Sequence, residues 1–261
     1  MLFRSLLLIP ALLALAVVAA AGRHPASAEP LPPARIFIPH IAGGYCGNFF
    51  DNFDNPTGWY EGEQDGLLAE RTGGEYRLLV TRPALTWFVG APDCERVDAA
   101  AAVDARWAGE PGNFYGLLFA ITGRLDRSYL LAVNSDARAW MLFAVTDKGM
   151  ETVVAPTSSD AVRPGGEVNR LAAEHRGGRV VLSINGVVVG EAADIAPGVP
   201  LGAGVAAASY TFRAPADARF DNFSHTGSGE RVKLRETQSE QRIQKVAEGG
   251  LWRVVPLPAT P

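Results

Sequence analysis

The sequence predicts an all-β sandwich or barrel, and three observations carry that prediction. From about residue 45 to residue 225, short β-branched, aromatic and leucine-rich runs are separated by Gly, Pro, Asn and Asp. Asn185-Gly186 lies between two Val- and Ile-rich arms, which is the strongest short signal for a β-hairpin. The letters FDNF occur at 50–53 and again at 220–223. We expect these copies to mark the first and last strands of one sandwich, paired within one sheet.

The N-terminal residues predict export. Arg4 precedes an apolar run, and a small-residue stretch that ends in Ala26-Ser27-Ala28 follows it, which is the layout of a signal peptide spanning residues 1–28. An uncleaved membrane anchor is the alternative, but the run is short and contains Pro10. No later segment has the roughly 20 apolar residues that a membrane span needs. The chain is therefore predicted to be secreted, either extracellular or in the cell envelope.

The remaining chain divides into three parts by composition. Residues 29–44 hold several prolines and predict an extended linker, because proline disfavours helix interiors and central strands. Residues 45–226 form the predicted sandwich. Residues 227–261 are charged and rich in glutamine without a sustained helical stripe, which predicts a partly helical or disordered tail. Within this tail, LWRVVPLP at 251–258 could return to a sheet edge, bind a protein partner or remain a flexible end.

The Gly, Pro, Asn and Asp residues that separate the runs also delimit the individual predicted strands. Residues 96–107 are rich enough in alanine to form a helix by propensity, but their alternating pattern favours a strand. In each FDNF copy, regular strand geometry would place the first and third residues on one face and the second and fourth on the other. Strands are predicted at 74–81, 96–107, 114–121, 128–135, 139–146 and 169–176, and on both sides of the Asn185-Gly186 turn.

Export also bears on the two cysteines, Cys46 and Cys94. In an oxidising compartment the pair is expected to form a disulfide, with two buried thiols as the alternative. Neither cysteine has a close partner at metal-ligand spacing.

Several segments together resemble the concanavalin A-like lectin/glucanase superfamily. They are FFDNFDNPTGW, GEYRLLV, FYGLLFAI, SYLLAVNSDARAWMLFAV, NRLAAEHRGGRVVLSINGVVV and the closing ARFDNFS, in that order, over about residues 45–225. They resemble in particular the secreted bacterial modules of the laminin-G-like and 3-keto-disaccharide-hydrolase-like type. The resemblance implies a jelly-roll sandwich of two curved antiparallel sheets, with a concave face that binds glycans in many members.

The sequence lacks the residue patterns expected for nucleic-acid binding or for catalysis. The formal net charge is −4, and no face concentrates Lys and Arg as phosphate-backbone binders do. Glycosidases of this superfamily carry the motif Glu-x-Asp-x-x-Glu, because retaining hydrolysis needs two carboxyl groups about 5 Å apart. That motif is absent, and so is the GxSxG nucleophile elbow. No catalytic residue is therefore assigned.

The sequence offers a set of sugar-binding candidates. Sugar rings stack on aromatic faces while amides and charged groups bind their hydroxyls. Trp59 is expected in the core, as is usual for this family's Gly-Trp after the first strand. At least one of Trp87, Tyr115 and Trp140 is predicted to line the concave face. Asn134 and Arg170 are the expected polar neighbours.

The FDNF copies also suggest a metal. Related lectin and laminin-G-like domains often hold a calcium ion through carboxylates and carbonyls. Asp51 and Asp221 mark the candidate site, with Asp221 as a ligand together with carbonyls near Asp51 or Asn52. Turn capping or cross-strand pairing is the alternative role for both aspartates.

These observations favour a secreted, non-catalytic module that binds polysaccharide or envelope glycan. Two alternatives remain open: an adhesion or structural module that binds protein through a sheet edge or the tail, and a hydrolase of modified disaccharides.

Overall fold

The computed structural model describes residues 34–37, 48–83, 85–92, 95–121, 128–146, 149–176, 178–193, 201–209, 215–229, 243–245 and 252–254. All regular secondary structure within these ranges is β, which confirms the predicted class. The strands are β1 (Ala34–Phe37), β2 (Phe49–Asp51), β3 (Gly62–Gln64), β4 (Leu67–Thr72), β5 (Glu75–Val80), β6 (Leu85–Gly90), β7 (Arg96–Trp107), β8 (Phe114–Ile121), β9 (Ser128–Asn134), β10 (Ala139–Thr146), β11 (Gly149–Ser158), β12 (Asn169–Arg176), β13 (Arg179–Ile184), β14 (Val187–Ala193), β15 (Gly202–Ser209), β16 (Ala216–Gly229), β17 (Ile243–Lys245) and β18 (Trp252–Val254). No helix that could cross a membrane is found in the described ranges.

Two sheets make up the sandwich. The seven-stranded sheet has the order β1-β6-β15-β8-β9-β10-β11. The nine-stranded sheet has the order β14-β13-β12-β7-β16-β5-β4-β3, and β2 also pairs with β16. Neighbouring strands of both sheets are antiparallel, except that β1 runs parallel to β6 at one edge.

The two FDNF copies pair as the sequence predicts. Strand β2 lies antiparallel to β16, with Asp51 opposite Phe223 and Phe50 opposite Ser224. In the first copy the expected alternation holds, because Asp51 and Phe53 are buried while Phe50 is exposed. In the second copy the prediction of regular alternation is wrong. A bulge after Asp221 breaks the register with β7.

That bulge has a specific backbone geometry. Asn222 adopts φ +48°, a left-handed conformation that asparagine tolerates better than most residues. The extra residue turns the chain so that Phe220 and Phe223 both point into the core. Asp221 and Asn222 are left at the outer surface.

The main core lies between the two sheets. The nine-stranded sheet alternates buried and partly exposed residues, so only one of its faces packs inward. The seven-stranded sheet differs, since strands β8, β9 and β10 are buried on both faces. Its inward face joins the inter-sheet core through residues such as Trp87, Leu117 and Leu131. Its other face carries a second apolar cluster that includes Phe88, Leu118 and Leu130.

The predicted strands are present at nearly the predicted bounds, and the alanine-rich stretch 96–107 is strand β7. Within the predicted sandwich, strands β3, β4, β6, β11 and β15 were not predicted. Strand β15, with the sequence GAGVAAAS, consists mostly of residues with low β propensity. It becomes a strand because it lies between β6 and β8, where small side chains fit a sheet buried on both faces.

The segments outside the predicted sandwich also contribute strands. Within the expected linker, Ala34–Phe37 forms the edge strand β1. Within the expected tail, β17 and β18 pair with each other in a two-stranded sheet. The described part of the tail is therefore strand and not helix. The signal peptide, Cys46 and Cys94 lie outside the described residues.

Candidate functional site

The first FDNF copy anchors the loop that follows it. The Asp51 carboxylate is buried and accepts three hydrogen bonds. The Phe53 backbone N–H donates to Oδ1 at 2.8 Å. The Trp59 indole N–H donates to Oδ2 at 2.8 Å, and the Thr57 hydroxyl donates to the same oxygen. Trp59 is in the core as predicted, where it packs against Phe53.

This arrangement shows that the carboxylates of Asp51 and Asp221 do not form one calcium site. The Asp51 side chain points into the sandwich, and its two carboxylate oxygens already accept N–H and O–H groups. The partial positive charges of those hydrogens would repel a cation. Asp221 lies opposite Asp104 on the other face of the same sheet. Since the two carboxylates are on opposite faces, they cannot hold one ion. In the part of the chain that the structure describes, no three His, Cys, Asp or Glu side chains come together as a metal site.

The second FDNF copy contributes to a polar network on the outer face of the nine-stranded sheet. Arg170 and Asp104 lie directly opposite each other on β12 and β7, and their side chains are 3.2 Å apart. The Arg170 guanidinium also donates to the Asn222 carbonyl at 2.7 Å and to the Ser224 hydroxyl at 3.3 Å. The Asn222 amide donates to Asp104 Oδ2 at 3.0 Å. The bulge therefore joins three neighbouring strands through side chains.

An exposed aromatic ring adjoins this network. Phe50 is 67% exposed, and it is the only aromatic side chain among the large exposed hydrophobic residues of the described ranges. It lies directly opposite Ser224, so both side chains are on the same face of the sheet. Beyond Ser224 the floor is formed by Ala102 and Ala172, whose small side chains leave the surface flat. We name this surface the FDNF patch and define it by Phe50, Asp104, Arg170, Asp221, Asn222 and Ser224.

The two carboxylates of the FDNF patch differ electrostatically. Asp104 is ion-paired with Arg170. Burial, followed by repulsion from the carboxylates of Asp104, Glu75 and Asp54, raises the pKa of Asp221 above its usual value, although the Asn222 backbone N–H opposes the shift. Glu75 is itself held by Arg106, whose Nε donates to Oε1 at 2.7 Å. The patch thus combines an ion-paired carboxylate, Asp104, with a carboxylate whose pKa is raised by burial, Asp221.

The predicted aromatic candidates are elsewhere. Trp87, Tyr115 and Trp140 are all buried in the core between the sheets, so no sugar can stack on them in this structure. The Tyr115 hydroxyl accepts a hydrogen bond from Asn169 Nδ2 at 2.9 Å, and burial raises the pKa of Tyr115 well above its usual range. The prediction failed because a buried tryptophan and an exposed one have the same sequence signal.

The polar candidates separate as well. Asn134 ends β9 in the seven-stranded sheet, and its Oδ1 accepts the Ala137 N–H at 3.0 Å in the following turn. Arg170 lies on the nine-stranded sheet, so the two residues do not share a site. Of the predicted binding residues, Arg170 alone belongs to the FDNF patch.

Sequence reasoning missed Phe50, Asp104, Asn222 and Ser224 as members of one site. A signal was available for Asp104, which alternates with the apolar Val103 and Ala105 and so faces outward. In the same way, alternation within the first FDNF copy places Phe50 on the face opposite to Asp51 and Phe53. The contribution of Asn222 could not be read from the sequence, because it depends on the bulge.

Two histidines line a small cavity in the sandwich. His175 on β12 and His225 on β16 are buried, and the other lining residues are mainly small or apolar, including Ala99, Ala101 and Phe119. The described residues around this cavity supply no serine or cysteine nucleophile. The cavity therefore gives no support to triad chemistry.

The architecture is the concanavalin A-like jelly-roll sandwich, as the sequence resemblance implied. A β-glucanase from Bacillus licheniformis superimposes with a TM-score of 0.51 at 16% identity, covering 69% of this chain and 98% of that chain. A β-1,3-1,4-glucanase (lichenase) derived from a mouse hindgut metagenome gives 0.51 at 14% identity, covering 69% and 99%. A Bacillus subtilis protein of unknown function with a galectin-like fold gives 0.53 at 14% identity, covering 71% and 98%.

At these identities the similarity defines the fold. No protein-family model matches the sequence, and no curated protein matches it.

Proposed function

We propose that this protein is a secreted, non-catalytic module that binds extracellular or envelope carbohydrate at the FDNF patch. One observation carries the proposal: an exposed ring, Phe50, lies beside the Arg170, Asp104 and Ser224 hydrogen-bonding network on an open sheet face. Aromatic rings stack on the C–H surface of a sugar, while charged and hydroxyl groups bind its hydroxyls. Structural neighbours named as glucanases add general support for a carbohydrate ligand.

The shape of the FDNF patch favours a polymer over a small free sugar. The Ala102 and Ala172 floor continues the row from Phe50 and Ser224 across β7 and β12. A flat row that crosses several strands, each about 4.8 Å apart, suits an extended chain of sugar rings. A deep pocket would suit a single sugar unit.

The proposal is tested by binding to a panel of neutral β-glucans, galactans and mucin-type glycans, measured by affinity electrophoresis and calorimetry. We expect at least one polysaccharide to bind. Phe50→Ala should weaken that binding by about tenfold or more, which corresponds to the loss of one stacking contact. The melting temperature should stay unchanged, because Phe50 is largely exposed.

Two further variants complete the test. Arg170→Ala should also weaken binding, with some loss of stability because its hydrogen bonds join β7, β12 and β16. Val188→Ala, at an exposed apolar residue elsewhere on the same sheet, is the control and should bind normally. Absence of binding across the panel, or full binding by Phe50→Ala, would contradict the proposal.

A hydrolase is the second candidate function, and the carboxylate pair favours it. Asp104 and Asp221 lie directly opposite each other on adjacent strands, Arg170 is ion-paired with Asp104, and burial raises the pKa of Asp221. If the protein cleaves any glycan of the panel, Asp104→Asn and Asp221→Asn should each abolish product release while binding persists. Product formed equally by both variants would exclude this pair as the catalytic groups.

A further inference from the structure

The two arginines beside the FDNF patch are already held by carboxylates. The Arg170 guanidinium lies 3.2 Å from Asp104, and it also donates to two oxygen atoms of β16. Arg106 donates through Nε to Glu75 Oε1 at 2.7 Å and through Nη2 to Glu75 Oε2 at 2.5 Å. An incoming anion would have to displace these carboxylates to bind either arginine.

Asp221 has no such cation. Its carboxylate accepts hydrogen bonds from Asn222, from the backbone N–H at 2.7 Å and from the side-chain amide at 3.2 Å. In the ranges that the structure describes, the nearby arginines pair with other carboxylates and none pairs with Asp221. The exposed carboxylate of Asp54 is held by the Asn52 amide and likewise forms no ion pair among the described residues. Two negative charges of this surface are therefore uncompensated.

The pKa of Asp221 also reflects the negative charge around it. Burial raises this pKa first, and repulsion from three neighbouring carboxylates, those of Asp104, Glu75 and Asp54, raises it further. The two ion pairs thus do not cancel the negative charge that surrounds Asp221.

Asp221 lies beside the floor on which the proposed ligand would rest. It is directly opposite Asp104 on β7, and Ser224 is directly opposite Ala102, two residues away on β7. Side chains two residues apart on one face of a strand are about 7 Å apart. A sugar in contact with Ala102 is therefore within the Debye length of about 8 Å at physiological salt, so salt screens the charge of Asp221 only in part.

We propose that Asp221 is a specificity-determining residue that limits the ligand of the FDNF patch to polysaccharides without negative charge. This inference rests on the proposed function, because it concerns the ligand class of the same surface. A carboxylate or sulfate group on the floor would meet the like charge of Asp221, while both nearby arginines are occupied. A neutral sugar meets no such repulsion, and a protonated amino group on the sugar would be attracted.

Four forms of one polymer test the dependence on ligand charge. They are an unsubstituted β-glucan and the same β-glucan with hydroxyethyl, carboxymethyl or aminoethyl groups at equal density, and calorimetry at low salt measures their affinities. The hydroxyethyl form is the control for the bulk of the substituent. We expect the carboxymethyl form to bind about tenfold more weakly than the hydroxyethyl form, and the aminoethyl form to bind at least as tightly as the hydroxyethyl form. These differences should shrink to within about twofold in 1 M salt, where the Debye length is about 3 Å.

Substitutions assign the effect to Asp221. Asp221→Asn should lower the ratio of the carboxymethyl to the hydroxyethyl dissociation constant by about threefold or more, and Asp221→Lys should lower it further. Glu151→Gln removes the same charge from an exposed residue of the seven-stranded sheet and should leave the ratio unchanged. The ratio is informative even where a substitution also changes the affinity for the neutral polymer.

Equal binding of the hydroxyethyl and carboxymethyl forms would overturn the inference, and so would a ratio that Asp221→Asn leaves unchanged. Both results require binding, so they would leave the proposed function standing. If the β-glucan does not bind, the same four forms of a galactan take its place. Absence of binding by every unsubstituted polymer would contradict the proposed function itself, and this inference would fall with it.

Discussion

At the scale of single residues, the same sequence letters carry out different tasks. The first FDNF copy places Asp51 inside the sandwich, where it accepts hydrogen bonds from one backbone group and two side chains. The second copy places Asp221 outside, opposite Asp104. The difference arises because β2 ends at Asp51, whereas β16 continues through a bulge at Asn222.

Asp51→Asn is expected to destabilise the fold by about 2–4 kcal/mol, because the amide NH₂ would face donor groups that need an acceptor. Chemical denaturation measures this loss. Asp54→Asn, an exposed neighbour, is the control and should change stability by less than about 0.5 kcal/mol. A loss that EDTA reproduces in the unmodified protein would instead point to a metal at Asp51.

Asp221 should make stability depend on pH. Burial raises its folded-state pKa above the ordinary value of 3.8, so the folded state binds this proton more tightly than the unfolded chain. Stability from this group is therefore lost as pH rises from about 3.8 through the raised pKa. Asp221→Asn removes the charge and should raise the melting temperature at pH 7 by about 1–3 °C.

The gain from Asp221→Asn should disappear at pH 3, where the unmodified carboxyl is already neutral in both states. Glu151→Gln, at an exposed residue of the other sheet, is the control for a general effect of net charge. A gain that persists unchanged at pH 3 would show that the charge of Asp221 is not its cause.

At the scale of elements, the hairpin β13–β14 combines turn geometry with side-chain bonds. Asn185 and Gly186 have φ +51° and +80°, as a type I′ turn requires. The Asn185 amide also donates to the Ala161 carbonyl and to Asn169 Oδ1, both at 2.8 Å. The Asn185 side-chain oxygen accepts a hydrogen bond from the Arg170 backbone N–H at 2.9 Å. The turn thereby positions β12, which carries Arg170 of the FDNF patch.

Two substitutions separate these contributions. Gly186→Ala should cost about 1 kcal/mol through strain at positive φ. Asn185→Gly keeps the backbone freedom but removes the three hydrogen bonds, and should cost about 2 kcal/mol. Thermal and chemical denaturation measure both. If Asn185→Gly is neutral, the side-chain bonds do not stabilise the hairpin.

The predicted elements show what local sequence can and cannot specify. Strand β7 was predicted despite its alanines, since Ala99, Ala101 and Val103 follow the alternation of a half-buried sheet. Strand β15 was missed because its Gly- and Ala-rich sequence carries neither alternation nor β propensity. Its state is decided by its neighbours: a Cβ added at Gly204 would come within 2.2 Å of the Val89 carbonyl oxygen, so the strand must be small to fit there.

At the scale of the whole molecule, the two sheets pack together through side chains of complementary size. Trp140 of the seven-stranded sheet packs against Gly190 of the nine-stranded sheet, where an added Cβ would lie 2.8 Å from the indole Cη2. This contact explains why Trp140 is a core residue and not a sugar platform.

Gly190→Ala is therefore expected to cost about 1–3 kcal/mol through overpacking between the sheets. Combining it with Trp140→Phe should recover part of that loss, and a double-mutant cycle measures the coupling. Val187→Ala, at an exposed residue of the same strand, is the control. If the two changes in unfolding free energy are purely additive, Gly190 and Trp140 do not interact across the two sheets.

The sequence by itself determined the β class, most strand positions, the hairpin and the pairing of the two FDNF copies, because alternation and turn residues act over a few neighbours. Only the tertiary structure decided which aromatic rings are buried. It also decided that a bulge turns Asp221 and Asn222 outward and that the seven-stranded sheet is apolar on both faces. The physical reason is that a strand buried on two faces has no alternation to read, and a ring's exposure depends on what the opposite sheet brings against it.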